Sequence, residues 1–157
     1  MQTLSSEALN DSLKWRDVVF SVTRAQGEDG PDQPDRVYGV IMDVGLSNDF
    51  VITVTAFATG ESSLRTTVGG GALGLGGDKF IAEQAKQIVT LAQSIMKTTR
   101  RMNNHDLPQG KKVYFYFLTP SGLTLTESTV EEMYSQTHPF HKMFSRFTAI
   151  KARSEEL

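Results

Sequence analysis

The residues that invite a chemical reading first are glycines. Six of the thirteen lie in the run Gly69 to Gly77 (GGGALGLGG), directly before a segment of helical periodicity. A strand, a glycine loop and a helix in that order can turn backbone N–H groups toward a phosphate. Gly69-x-Gly71-x-x-Gly74 also has the spacing of the dinucleotide fingerprint. That fingerprint needs a first parallel strand before it and an acid about 20 residues after it. Here the corresponding stretch is Gln93-Ser94-Ile95, and Asp78-Lys79 follows Gly77 where a phosphate loop has Lys-Ser or Lys-Thr. The simpler reading is a backbone that bends at positive φ and packs closely. If the loop does take a small ligand or nucleotide phosphate, its contacts are Gly69, Gly70, Gly71, Gly74, Gly76, Gly77 and Lys79.

Other constellations are thinner. His138-x-x-His141 has one-turn spacing with Glu131 and Glu132 nearby, but Pro139 separates the pair and no third ligand is evident, so no metal is expected. The acids Glu28, Asp29, Asp32 and Asp35 lack the calcium-loop pattern and read as a solvated loop. No Gly-x-Ser-x-Gly elbow exists, no catalytic set stands out and no cofactor is implied. Asp43 is a charge inside an apolar strand and is expected to point outward by alternation, with a buried functional carboxylate as the alternative. Lys97, Arg100, Arg101, Lys111 and Lys112 form a local basic cluster, read as helix-end charge plus a solvated loop, with a phosphate-bearing partner as the sharper alternative.

Composition bounds the rest. The 157 residues carry 39% hydrophobic and 22% charged side chains, which fits one globular domain spanning 1–157. Net charge is −2, which gives no bulk attraction to nucleic acid or anionic lipid. Zero cysteines exclude disulfides and thiolate chemistry and fit a reducing compartment. No apolar run approaches the length of a membrane span, and Met1 to Trp15 lacks an apolar signal core. A cytoplasmic protein is expected.

The elements follow from pattern. A weak helix is expected over 5–15 with Leu9, Leu13 and Trp15 partly buried, then a strand from Asp17 to Arg24 (DVVFSVTR), a flexible acidic loop over 25–35, and strands Val37–Leu46, Phe50–Ala58 and Ser62–Val68. Turn residues Ser47-Asn48-Asp49 and Thr59-Gly60 join the last three, so these pair antiparallel. From Lys79 to about Thr99 apolar residues recur with helical spacing, Asp78 stands at the N-cap, and Lys97, Arg100 and Arg101 fall in the last turns. Val113–Leu118 is a central strand whose aromatics pack in the core, and Thr119-Pro120-Ser121-Gly122 turns it into Leu123–Thr126. Capping-box spacings begin at Ser128 and Thr129, and Pro139 precedes a C-terminal helix. The expected fold is α+β: one mainly antiparallel sheet of five to six strands, with a long helix and a C-terminal helix packed on it.

The stretch Val37 to Met96, with Ser63-Leu64, Thr67 and Gly69-Gly70-Gly71 before Leu73-Gly74 and an amphipathic helix, resembles a set of uncharacterised bacterial proteins. That resemblance implies no activity and no catalytic residues. More loosely, a small sheet with a long helix is similar to roadblock-type modules, which dimerise and act as scaffolds or small-GTPase partners. The expected function is therefore a non-enzymatic interaction or scaffold module, self-associating as a homodimer or meeting another protein. Phe140, Met143, Phe144 and Phe147 are the candidate contact residues, and the Gly69–Gly77 loop at a helix N-terminus supplies the alternative, a small-ligand or nucleotide-phosphate binding protein, with an enzyme among its forms.

Overall fold

In the computed structural model, residues 6–27, 34–47, 50–96, 100–102 and 104–157 are described. The order is helix α1 (Ser6–Gly27), strands β1 (Gly39–Gly45), β2 (Val51–Phe57), β3 (Ser62–Thr66) and β4 (Gly71–Ala72), helix α2 (Lys79–Ile95), strands β5 (Arg100–Met102), β6 (Lys112–Thr119) and β7 (Gly122–Thr129), and helices α3 (Val130–Met133) and α4 (His141–Ser154). The fold is α+β. One antiparallel sheet runs β4-β3-β2-β1-β6-β7-β5: six strands, extended at one margin by the two-residue β4.

Helices α2 and α4 cover one face. Ile81, Ala85, Ile88, Val89 and Ala92 of α2 meet Met143, Phe144, Phe147 and Ile150 of α4 over Val40, Met42, Val54, Phe115 and Phe117 of the sheet. Asp78 caps α2 as the sequence predicts, its carboxylate accepting from Ile81 N at 3.1 Å. Thr129 caps α3 through Glu132 N at 3.1 Å, so of the two overlapping capping boxes the one at Thr129 closes on the backbone. The α2 element stops at Ile95, and Lys97–Thr99 lie outside the described residues.

Helix α1 lies on the other face, and here the sequence reading needs correction. Asp17 to Arg24 is not a strand; residues through Gly27 continue the helix that begins at Ser6. The inward positions recur every four residues at Ser12, Arg16 and Phe20, all buried, while Val18 and Leu13 are exposed. Two of the three inward residues are polar, so no apolar stripe marks the helix. Phe20 joins Ile41, Tyr116, Leu118 and Leu125 in the smaller core on that face. A second correction concerns Arg100 and Arg101, which lie in β5 at the sheet margin and not in the last turns of a helix. Of the expected acidic loop, residues 25–27 belong to α1 and residues 28–33 lie outside the described set, as do Met1–Ser5 and Asn48-Asp49.

Candidate functional site

Asp43 does not point outward. Its side chain is fully buried on the α1 face, and Arg16, 3% exposed, reaches it from α1. Nη1 donates to Oδ1 at 2.7 Å and Nη2 to Oδ2 at 2.6 Å, a bidentate pair. Thr53 Oγ1, opposite Asp43 on β2, donates to Oδ1 at 2.6 Å. Arg16 Nη2 also donates to the Asp106 carbonyl at 3.2 Å, where the Tyr116 hydroxyl donates at 2.6 Å. The guanidinium stands over the Phe20 and Tyr116 rings, 5.1 and 5.5 Å from their centroids. Burial works to lower the Arg16 pKa, but the Asp43 carboxylate outweighs it and holds the value above the ordinary one. Burial, helped by the Asp43 charge, pushes the Tyr116 phenol well up. Nearby, His105 Nε2 lies 2.8 Å from Asp17 Oδ1 and its ring stacks on Phe20.

This cluster is chemically closed. Both Asp43 oxygens accept donors, and Arg16 is divided between carboxylate and carbonyls. Its work is mechanical: it ties α1 and the segment at His105-Asp106 to the centre of the sheet. Arg16 escaped the sequence reading because nothing local links it to Asp43. The signal was Asp43 itself, since a carboxylate in a strand buried on both faces requires a cation.

The glycine run is a folding device along β3. Gly70 has φ of 85°, which favours glycine, and a Cβ on Gly71 would meet the Leu64 carbonyl at 2.3 Å. The chain thereby doubles back to place β4 against Leu64 and Arg65. Gly74 caps a short 3-10 turn, Leu75–Gly77, Gly76 N donates to Glu61 Oε1 at 3.2 Å, and Lys79 is exposed in the first turn of α2. The candidate ligand contacts thus sit along one path, but Asp78 occupies the helix end they lead to. Arg153 of α4 closes on Asp78 Oδ2 at 2.9 Å and on Glu156 at 2.9 Å. The Arg153 hydrogen bond, then that from Ile81 N, holds the Asp78 carboxyl below its usual range, and Asp78 in turn raises Arg153. A phosphate arriving at this helix end would meet an ionised carboxylate.

Beside that ion pair the surface opens into a shallow groove of about 420 Å³, lined by Phe80, Ala149, Ala152, Arg153 and Glu156. Phe80 is 46% exposed at its side, and Leu73 and Leu157 are 66% exposed elsewhere on the surface. The four residues singled out as contacts do not lie here. Phe140, Met143, Phe144 and Phe147 are buried between α4 and the sheet, where the chain itself covers them. Sequence periodicity identified the apolar stripe of α4 and placed that helix on the sheet, as it is; what needs correction is the reading of these four residues as contacts for a partner.

No protein-family model, curated protein or solved structure matches this chain. The site is therefore read from its own geometry. His138 Nδ1 accepts from Phe140 N at 3.1 Å and its Nε2 faces Glu132, while His141 Nδ1 holds the Met133 carbonyl at 2.7 Å. These histidines organise the turn between α3 and α4. Among the described residues no three metal-ligating side chains converge, and no helix is long and apolar enough to cross a membrane.

Proposed function

We propose that this chain is a non-enzymatic protein-interaction module that pairs with a second copy of itself through the α2–α4 end. The observation that carries the reading is Phe80, half exposed at a groove that Ala149 and Ala152 line with small side chains. Aromatic side chains supply most of the binding energy where they enter a pocket and shed water. Arg153 and Glu156 edge the same groove and give its rim one charge of each sign, which suits a contact between two identical surfaces. The cysteine-free composition suits a cytoplasmic setting for such a module. The looser resemblance to dimerising roadblock-type modules points the same way without adding a residue to the site.

Sedimentation velocity over a micromolar concentration series tests it. The wild-type chain is expected to move toward twice the 17.4 kDa chain mass as concentration rises. Phe80→Ser and, independently, Ala152→Glu on the facing helix are expected to leave only the single-chain species, with unchanged circular dichroism. A wild-type chain that stays at 17.4 kDa throughout removes the proposal.

A further inference from the structure

We infer that Arg65, on β3, is the anchor of a binding site for a small oxyanion, a phosphate or a carboxylate. Directly opposed residues of neighbouring strands share a face. The register sets Asp43, Thr53, Arg65 and Gly71 in one row across β1, β2, β3 and β4, on the side that α1 covers. Asp43 is the carboxylate of that row, and it is spent: both oxygens accept from Arg16 and one also from Thr53. Arg65 is half-buried, and among the described residues it has no hydrogen-bond or ion-pair partner. Its Nε is shielded from solvent, while its two Nη groups are not. The other buried or half-buried arginines whose side chains are described are each engaged: Arg16 with Asp43, Arg146 with Gln84 and Arg153 with Asp78.

A guanidinium cannot shed its charge, and withdrawing one from water without an acceptor costs stability. The fold nevertheless makes room for this one. A Cβ on Gly71 would stand 3.2 Å from Arg65 Cδ, so the glycine leaves space for the arginine's stem. The stem is thus packed and the fork at its end is unspent. Its planar pair of donors matches two oxygens of one phosphate or carboxylate, a fit that a lysine's point charge does not offer. The glycine run therefore serves an anion at its β3 end, through the side chain beside it, and not at the α2 end, where Asp78 stands. This site is separate from the α2–α4 groove, and neither proposal depends on the other.

The test follows the thermal midpoint of the full chain while inorganic phosphate or, separately, succinate replaces chloride. Constant pH and ionic strength keep general screening fixed. The wild-type midpoint is expected to rise saturably with at least one of the two, by about 3–6 °C at roughly ten times the dissociation constant. Whichever anion acts at the lower concentration identifies the source of the oxygens. Arg65→Met, which removes the unpartnered charge and keeps an apolar stem, is expected to show no rise. Arg65→Lys keeps the charge and loses the fork, and is expected to bind about tenfold or more weakly. Arg36→Met, at an exposed arginine outside the row, is expected to rise as the wild type does. The proposal is overturned if neither anion raises the wild-type midpoint, or if either Arg65 variant responds as the wild type does. It is also overturned if Arg36→Met abolishes the rise, which would make the effect a general attraction of anions to surface cations.

Discussion

The Arg16–Asp43 pair shows how one residue's environment inverts its meaning. Desolvating two charges costs several kcal/mol each, and the bidentate contact with Thr53 and the Asp106 carbonyl returns that cost only while every partner is present. Asp43→Ala should therefore destabilise by about 3–5 kcal/mol in urea denaturation, because it strands the Arg16 charge in the interior. Replacing the set together, Arg16→Met with Asp43→Leu and Thr53→Val, should recover most of that loss. A triple variant as unstable as Asp43→Ala alone would show that the charges themselves are required. The sequence displayed Asp43 as an anomaly but could not supply its partner, which lies 27 residues away on another element.

At the scale of elements, α2 and α4 are joined at one end by Asp78 and Arg153, and that joint is pH-dependent. The Asp78 carboxyl is held below its ordinary value in the folded chain, chiefly by Arg153. A group with a depressed folded pKa contributes stability above its unfolded value, about pH 4, and loses it as pH falls through the folded value. The thermal midpoint of the wild-type chain should thus exceed that of Asp78→Asn at pH 6 and converge on it between pH 4 and the acid limit. Asparagine keeps the cap and removes only the charge. A gap that persists unchanged at low pH would assign the difference to the cap. The Asp78 cap and the α2 periodicity were readable locally; Arg153, 75 residues away in sequence, was not.

The whole molecule is a sheet covered on both sides by unlike layers. The α2–α4 side is a large aliphatic and aromatic core; the α1 side is a smaller one built around an ion pair. Substitutions should report that asymmetry. Phe115→Ala, in the larger core, should cost about 3–5 kcal/mol and Ile88→Ala about 2–5, measured by denaturant titration. Leu73→Ala, on the exposed glycine run, should stay within about 0.5 kcal/mol. Equal costs at all three positions would mean that the helices do not pack on the sheet as described.

The sequence by itself determined whatever depends on near neighbours and on one period at a time. The antiparallel pairing of β1, β2 and β3 followed from short turns. The facing set Ile52, Val54 and Ala56 came from strict alternation, and the buried stripe of α2 from helical spacing. Tertiary structure decided the rest, for a common physical reason. Residues 17–24 favour a strand by composition, yet they complete a helix because Arg16 and Phe20, four positions apart, must reach Asp43 and Tyr116 together. Arg100 and Arg101 suit a helix end, yet pair with Leu125 and Thr124 at the sheet margin. The packing of the C-terminal helix on the sheet was legible from its periodicity, but that Phe140, Met143, Phe144 and Phe147 are spent wholly on that contact, leaving none for a partner, is settled only by the position of the sheet. In each case the deciding partner is distant in the chain, so its contribution to the free energy has no local trace.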